Sequence, residues 1–132
     1  MTGEKYRVLI VDDDKFLLDI YSLKFKQEGL SVETAVSGED ALAKLKSSNP
    51  KFNILLLDMV MPEMDGLTLL ALMKKENLEK DIVRIILTNQ GQQEDIKKAE
   101  EFGIDGYIVK ATSIPSEVLA EVIGIADKKF KL

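Results

Sequence analysis

Hydrophobic runs alternate along this chain with longer segments in which hydrophobic residues recur every three to four positions. The runs lie at residues 6–11, 30–35, 54–57, 82–87 and 105–109. The run 54–57 has no polar break, which is typical of a strand buried on both faces in a parallel sheet covered by helices. The segments with helical spacing lie at about 15–28, 37–46, 66–76, 92–102 and 115–128. The pattern therefore predicts five strands alternating with five helices.

Strict alternation of strands and helices requires right-handed crossovers and makes the sheet parallel. The three most hydrophobic strands, the first, third and fourth, are expected at its centre. The second strand alternates only partly and carries the polar residues Glu33 and Thr34, so it suits an edge. We predict an α/β fold, a three-layer α/β/α sandwich whose five-stranded parallel sheet has the order 2-1-3-4-5.

The bulk properties exclude several classes of protein. A length of 132 residues fits one domain, predicted over 1–132 with a core of about 6–128. The absence of cysteine and histidine excludes disulfides, thiolate or histidine zinc sites and catalytic triads. A net charge of −5 argues against direct nucleic-acid or membrane binding, and no segment reaches the ~20 apolar residues of a membrane span. We expect a cytoplasmic protein, in agreement with the lack of cysteine and of a signal peptide.

Polar side chains follow four of the hydrophobic runs. Asp12 and Asp13 follow the first, Asp58 the third, Thr88 the fourth and Lys110 the fifth. Parallel strands bring their carboxyl ends to one rim, and open α/β sheets bind ligands there. Each residue alone has an ordinary explanation as a turn cap, a strand-end hydroxyl or an exposed lysine. Their coincidence at four strand ends favours a functional site.

Two further aspartates near this rim are expected to cap helices. Asp14 directly precedes the segment 15–28, and Asp65 precedes Gly66, where the segment 66–76 begins. Aspartate is a favoured residue just before a helix, because its side chain accepts a hydrogen bond from a free backbone N–H.

Three carboxylates without histidine or cysteine form an oxygen-only site, which favours a hard cation, Mg²⁺ above all or Mn²⁺. Such an ion keeps several waters and accepts phosphate oxygens. Asp58 is then a candidate nucleophile that attacks phosphorus and forms an aspartyl phosphate. The Lys110 ammonium would neutralise charge on the transferring group, and the Thr88 hydroxyl would donate to a phosphoryl oxygen.

These residues also form motifs, and through them the chain resembles a response-regulator receiver domain of the CheY type over about residues 6–128. The family has the flavodoxin-like fold with the same strand order, so the predicted order is not independent of the resemblance. The matching motifs are Val11-Asp12-Asp13, Leu57-Asp58 with Met61-Pro62-x-Met64-Asp65-Gly66, Leu87-Thr88, and Gly106-Tyr107-Ile108-Val109-Lys110.

The resemblance implies a role for each member of the site. Asp58 is the phosphoacceptor. Asp13 binds Mg²⁺ directly, Asp12 binds it mainly through water, and Asp58 and the backbone carbonyl of Val60 complete the protein ligands. Lys110 contacts the phosphoryl oxygens. The domain is a phosphoacceptor, not an enzyme, and catalyses only its own phosphorylation and dephosphorylation.

The resemblance also implies a switch and partners. The Thr88 hydroxyl swings towards the phosphoryl group, and the Tyr107 ring moves inward behind it. The donor is a phosphohistidine on a sensor histidine kinase or phosphotransfer protein, or a small molecule such as acetyl phosphate. An unknown downstream protein binds the face formed by segments 92–102, 105–109 and 115–128. A monomer or weak dimer is expected, and the sequence fits both a stand-alone regulator and a fragment of a longer protein.

One stretch departs from the family pattern. Lys110 is followed by Ala111, Thr112 and Ser113, where the family usually has a proline in a cis bond and then an aromatic residue. A cis bond costs ~2.5–4 kcal/mol before a non-proline residue and ~0.5–1 kcal/mol before proline. We therefore predict a trans bond between Lys110 and Ala111.

Two other functions fit parts of the sequence. Asp12-x-Asp14 imitates the paired aspartates of haloacid-dehalogenase-type phosphatases, but Phe16 stands where a small threonine or valine is expected, and no cap domain is present. A pseudo-receiver that binds a partner without phosphorylation is the other alternative. The intact set of acids, hydroxyl and amine argues against it.

Overall fold

The computed structural model describes residues 6–88, 93–110 and 114–131. The strands are β1 (Arg7–Val11), β2 (Ser31–Ala35), β3 (Ile54–Asp58), β4 (Val83–Thr88) and β5 (Gly106–Val109). The helices are α1 (Lys15–Gln27), α2 (Gly38–Ser47), α3 (Gly66–Lys75), α4 (Gln93–Glu101) and α5 (Pro115–Phe130). All strand pairs are parallel, and the sheet order is β2-β1-β3-β4-β5. The predicted fold and strand order are confirmed.

The last helix is longer than its hydrophobic stripe indicated, ending at Phe130 instead of about residue 128. The two added residues pack, because the Phe130 ring lies 6.1 Å from the Tyr6 ring, centre to centre. The Tyr6 hydroxyl also donates to Asp127 one turn earlier. Tyr6, directly before β1, thus holds the end of α5, and this non-local contact is not visible in the spacing of the sequence.

The sheet separates two hydrophobic clusters, as expected of a three-layer sandwich. One lies under α1 and α5, with Phe25 and Val122 among its members. The other lies under α2, α3 and α4, where Leu69 and Met73 are fully buried. Of the nine residues of α4, Ala99 is the one that is buried. This helix is therefore the least firmly packed of the five.

Strand register brings the four polar strand ends to one level. β1 pairs Val11 with Leu57 of β3, and β3 pairs Asp58 with Leu87 of β4. β4 in turn pairs its last residue, Thr88, with Val109 of β5. The residues that follow these strands therefore meet at the carboxyl-end rim.

The predicted helix caps are present beside this rim. The Asp14 carboxylate accepts hydrogen bonds from the backbone N–H groups of Phe16 and Leu17 at the start of α1. The Asp65 carboxylate accepts from Thr68 N at 2.9 Å at the start of α3. In the part of the chain that the structure describes, the helices are too short or too polar to cross a membrane.

Candidate functional site

Three carboxylates meet at the rim. Asp12 and Asp13 directly follow β1, and Asp58 is the last residue of β3, the neighbouring strand. One oxygen from each lies within 4.8 Å of the others. Asp12 and Asp58 are 1% and 5% exposed, whereas Asp13 is open to solvent. The cluster therefore has two buried members and one that solvent reaches.

Lys110 bridges the two buried carboxylates. Its Nζ lies 2.8 Å from Oδ2 of Asp12 and 3.2 Å from Oδ1 of Asp58. The other oxygen of Asp12, Oδ1, accepts a hydrogen bond of 2.9 Å from the backbone N–H of Asp14. Both oxygens of Asp12 are therefore held, which fixes the orientation of its carboxylate.

The electrostatics of the cluster follow from burial and crowding. Burial raises the pKa of the Asp58 carboxyl to about 6; the charges of Asp12 and Asp13 act in the same direction, and Lys110 opposes them. Burial alone would lower the pKa of the Lys110 ammonium. Its hydrogen bond to Asp12 and the charges of both buried carboxylates outweigh burial, so its pKa is raised. The lysine thus stays protonated near neutral pH.

The donor set fits a hard divalent cation. It consists of carboxylate oxygens only, gathered close enough to contact one ion and open to solvent on the Asp13 side. When all three acids are ionised, three negative charges face the single positive charge of Lys110. A divalent cation would balance that excess, so the cluster has both the chemistry and the charge that Mg²⁺ requires.

The other predicted site residues lie on β4, on β5 and in the loop after β3. Val60 is in the loop between β3 and α3, with its side chain exposed; the part of its backbone carbonyl as a ligand stays a prediction. Thr88, at the end of β4, is fully buried. Tyr107 pairs in register with Ile86 of β4, but its side chain is 48% exposed. The ring therefore lies outward in this conformation.

Comparison with known proteins identifies the family. The family model described as "Response regulator receiver domain" matches residues 8–123. The chain belongs to the response regulator receiver domain family. A crystal structure of a CheY-like receiver domain protein from Methanospirillum hungatei JF-1 superposes with a TM-score of 0.85 at 32% identity, covering 96% of this chain and 97% of that one.

Two curated relatives indicate the range of proteins that contain this receiver domain. The chemotaxis protein CheY of Treponema pallidum is 38% identical over 109 residues, which is 82% of this chain and 74% of that protein. The response regulator SaeR of Staphylococcus aureus is 36% identical over 124 residues, or 94% of this chain. The chain spans about half of SaeR, 52% of its length.

This receiver domain is therefore a phosphoryl-accepting domain of two-component signalling. Receiver domains bind Mg²⁺ at an acidic pocket and interact with histidine kinases or phosphotransfer proteins and with downstream effectors. The comparisons give no support to the phosphatase or pseudo-receiver alternatives.

Some features of the receiver site escaped the sequence analysis. Asp14 was expected only to cap α1, but its backbone N–H also holds Asp12. The spacing of two residues between carboxylate and N–H is that of an Asx turn, a local signal that was available. The close approach of Gly38 to the loop after β3 was also missed. No local pattern in the sequence indicates this contact, because Gly38 lies in a different βα unit.

The trans bond predicted at Lys110–Ala111 lies outside the described residues.

Proposed function

We propose that Asp58 is the phosphoacceptor of this receiver domain. One of its carboxylate oxygens attacks phosphorus, and the bond from phosphorus to the donor breaks. The electron pair of that bond leaves with the histidine nitrogen of a kinase or phosphotransfer protein, or with the acetate of acetyl phosphate. The bridging position of Lys110, within 3.2 Å of both buried carboxylates, is the observation that supports this most directly.

The neighbouring residues share the remaining work. Lys110 is already beside the nucleophile, so its ammonium can remain paired with the negative charge when that charge moves from the carboxylate to the phosphoryl oxygens. Asp12, Asp13, Asp58 and the carbonyl of Val60 would hold Mg²⁺, or Mn²⁺, with Asp13 as a direct ligand and Asp12 acting mainly through water. The cation, when bound, neutralises negative charge on the transferring group.

A conformational output would follow phosphorylation. Thr88 would donate its hydroxyl to the phosphoryl group, and the Tyr107 ring would move inward behind it. The buried position of Thr88 and the outward ring of Tyr107 are consistent with the state before transfer. The weakly packed α4, together with β5 and α5, would present the altered face to a downstream protein.

The wider assignment rests on the same family. We take residues 1–132 as a single cytoplasmic receiver domain, monomeric or weakly dimeric, that catalyses only its own phosphorylation and dephosphorylation. Its phosphoryl donor would be a sensor histidine kinase or a phosphotransfer protein.

The phosphoacceptor is tested by intact mass spectrometry after incubation with acetyl phosphate and Mg²⁺. Wild type should gain one phosphoryl group and Asp58→Asn none, because an amide is not the required nucleophile. Asp14→Asn is the control, since it removes a nearby rim carboxylate that lies outside the cluster and asparagine still caps a helix. Labelling of Asp58→Asn on another carboxylate would overturn the assignment.

The output face is tested by amide hydrogen exchange with and without beryllofluoride and Mg²⁺. Exchange should change in α4, β5 and α5. Changes confined to α2 and α3 would contradict the assignment of the output face to α4, β5 and α5.

A further inference from the structure

Gly38, the first residue of α2, lies against the loop that follows the phosphoacceptor strand. A Cβ atom built on Gly38 would lie 2.7 Å from Cγ and 2.8 Å from Cβ of Met64. It would also lie 2.8 Å from the backbone oxygen of Met64. Carbon atoms in contact prefer separations of about 3.5–4.0 Å. Any larger residue at position 38 must therefore push this loop away, and not merely turn a side chain.

The backbone conformation of Gly38 does not call for glycine. Its φ lies outside the left-handed region, where Gly29 and Gly103 are found. Glycine is a weaker helix former than alanine, and α2 already has an N-cap in Ser37, which accepts from Asp40 N. Space against Met64 is thus the feature that requires glycine here.

The loop is braced at its other end as well. Gly66 N donates to the carbonyl of Met59 at 2.9 Å, which joins the two ends of the loop. A Cβ on Gly66 would lie 3.0 Å from the backbone oxygen of Asp58. Met64 is two residues from Gly66, so a push on Met64 reaches the backbone of the phosphoacceptor through a short and tightly packed connection.

We propose that Gly38 is a positioning residue for the phosphoacceptor loop. This role rests on the proposed function. Through it, α2 would set the position of the loop that directly follows Asp58 and carries Val60. Gly38 touches neither metal nor phosphate. It acts through Met64.

The test compares Gly38→Ala with Gly124→Ala. Gly124 is also a helical glycine, in α5, and a Cβ there would meet nothing within 4 Å. Gly38→Ala should weaken Mg²⁺ binding, measured by calorimetry, by about tenfold, as expected when a group that supports metal ligands is disturbed. Labelling by acetyl phosphate should slow by roughly ten- to a hundredfold, because a displacement of about 1 Å is costly to transfer. Gly124→Ala should match wild type in both.

A readout without metal separates positioning from general destabilisation. In EDTA, amide exchange of residues 59–65 should accelerate in Gly38→Ala, whereas the central strands β1, β3 and β4 should exchange as in wild type. A lower melting temperature with unchanged Mg²⁺ affinity and unchanged labelling would overturn the proposal, because Gly38 would then only help α2 to pack. Wild-type values throughout would overturn it too.

Met64→Ala keeps the test decisive if Gly38→Ala does not fold. Met64 is only half-buried, and its truncation removes Cγ, the Met64 atom nearest to position 38, while Cβ and the backbone oxygen remain. Mg²⁺ affinity should fall severalfold, and an unchanged affinity would overturn the proposal. Wild type is the reference for the proposed function itself: if wild type neither binds Mg²⁺ nor is labelled, the function fails. If it does both and the variants match it, only the role of Gly38 fails.

Discussion

Both ends of the sheet hold partly buried charges, but the two ends differ in how far those charges are paired within the chain. At the carboxyl end, Asp12 and Asp58 share Lys110, and like charges crowd together. At the amino end, Arg84 of β4 donates to the carbonyl oxygens of Phe102 and Gly103 at 2.8 and 2.9 Å. Those carbonyls follow the last residue of α4, where the helix dipole favours a cation.

Charged side chains beside β1 and β5 at the amino end also have partners within the chain. Arg7 donates to Glu33 and to the carbonyl of Pro50, and its guanidinium lies over the Phe52 ring at 4.5 Å. Asp105 accepts from the backbone N–H of Arg84 and faces Lys129 at 3.1 Å. Charges at the amino end are matched by partners within the chain. Charges at the carboxyl end are matched only in part, which suits a site that receives a cation and a phosphoryl group from outside.

The largest effect is expected at the matched end. Arg84→Met keeps the volume and apolar packing but leaves the two partly buried carbonyls that follow α4 without their charged donor. The free energy of unfolding should fall by about 3 kcal/mol, since each hydrogen bond from a charged donor contributes about 1.5–3 kcal/mol and the partial exposure of the carbonyls places both at the low end of that range. Urea unfolding in EDTA measures it. Arg84→Lys, which keeps the charge but not the fork of two donors, should lose less. A loss below about 1 kcal/mol for Arg84→Met would show that water replaces the guanidinium.

At the crowded end, the comparison predicts stabilisation when a charge is removed or balanced. Asp13→Asn should raise the melting temperature in EDTA slightly, because Asp13 is exposed and solvent weakens its repulsion. It should also abolish the stabilisation of wild type by Mg²⁺, about 2.7 kcal/mol at one hundred times the dissociation constant, and slow phosphorylation. Thermal melts of both proteins with EDTA and with Mg²⁺ decide. A mutant clearly less stable than wild type in EDTA would make Asp13 a structural acceptor and refute the repulsion argument.

The features of this contrast that could be predicted from the sequence are those marked by neighbouring residues along the chain. Hydrophobic runs and the polar residues that end them are local, so Asp58, Thr88 and Lys110 could be gathered at one rim before the structure was known. Arg84 stood within a hydrophobic run without any sign that its guanidinium reaches the end of α4. The partners of that group lie 18 and 19 residues further along the chain, and only the folded βα unit brings them near. The outward orientation of the Tyr107 ring was equally beyond a pattern of spacing.

The raised pKa of Asp58 predicts a pH dependence in metal-free protein. Because its folded-state pKa of about 6 exceeds the ordinary 3.8, the folded state binds the proton more tightly, and stability falls as pH rises from about 3.8 to about 6. The contribution should be about 2 kcal/mol. Asp58→Asn lacks it, so in EDTA the mutant should be more stable than wild type at pH 7, and the difference should disappear below about pH 3.8. Urea unfolding across this range measures the gap, and a gap independent of pH would contradict it.

The smallest effect is expected where a charge pair of the amino end reaches the surface. Lys129 is exposed over half of its side chain, at 51%, and faces Asp105 Oδ1 at 3.1 Å, so water and salt screen the attraction. Asp105 keeps its hydrogen bond from Arg84 N through Oδ2 when Lys129 is lost. Lys129→Met should therefore change the free energy of unfolding by less than about 0.5 kcal/mol, which is much less than the loss expected for Arg84→Met. The small change caused by Lys129→Met should vanish in 1 M salt, where the screening length is about 3 Å. Urea unfolding at low and high salt measures both. A loss above about 1 kcal/mol that persists in high salt would contradict this expectation. It would mean that the Lys129–Asp105 pair is energetically coupled to Arg84, so that even the surface charges at the amino end contribute to stability.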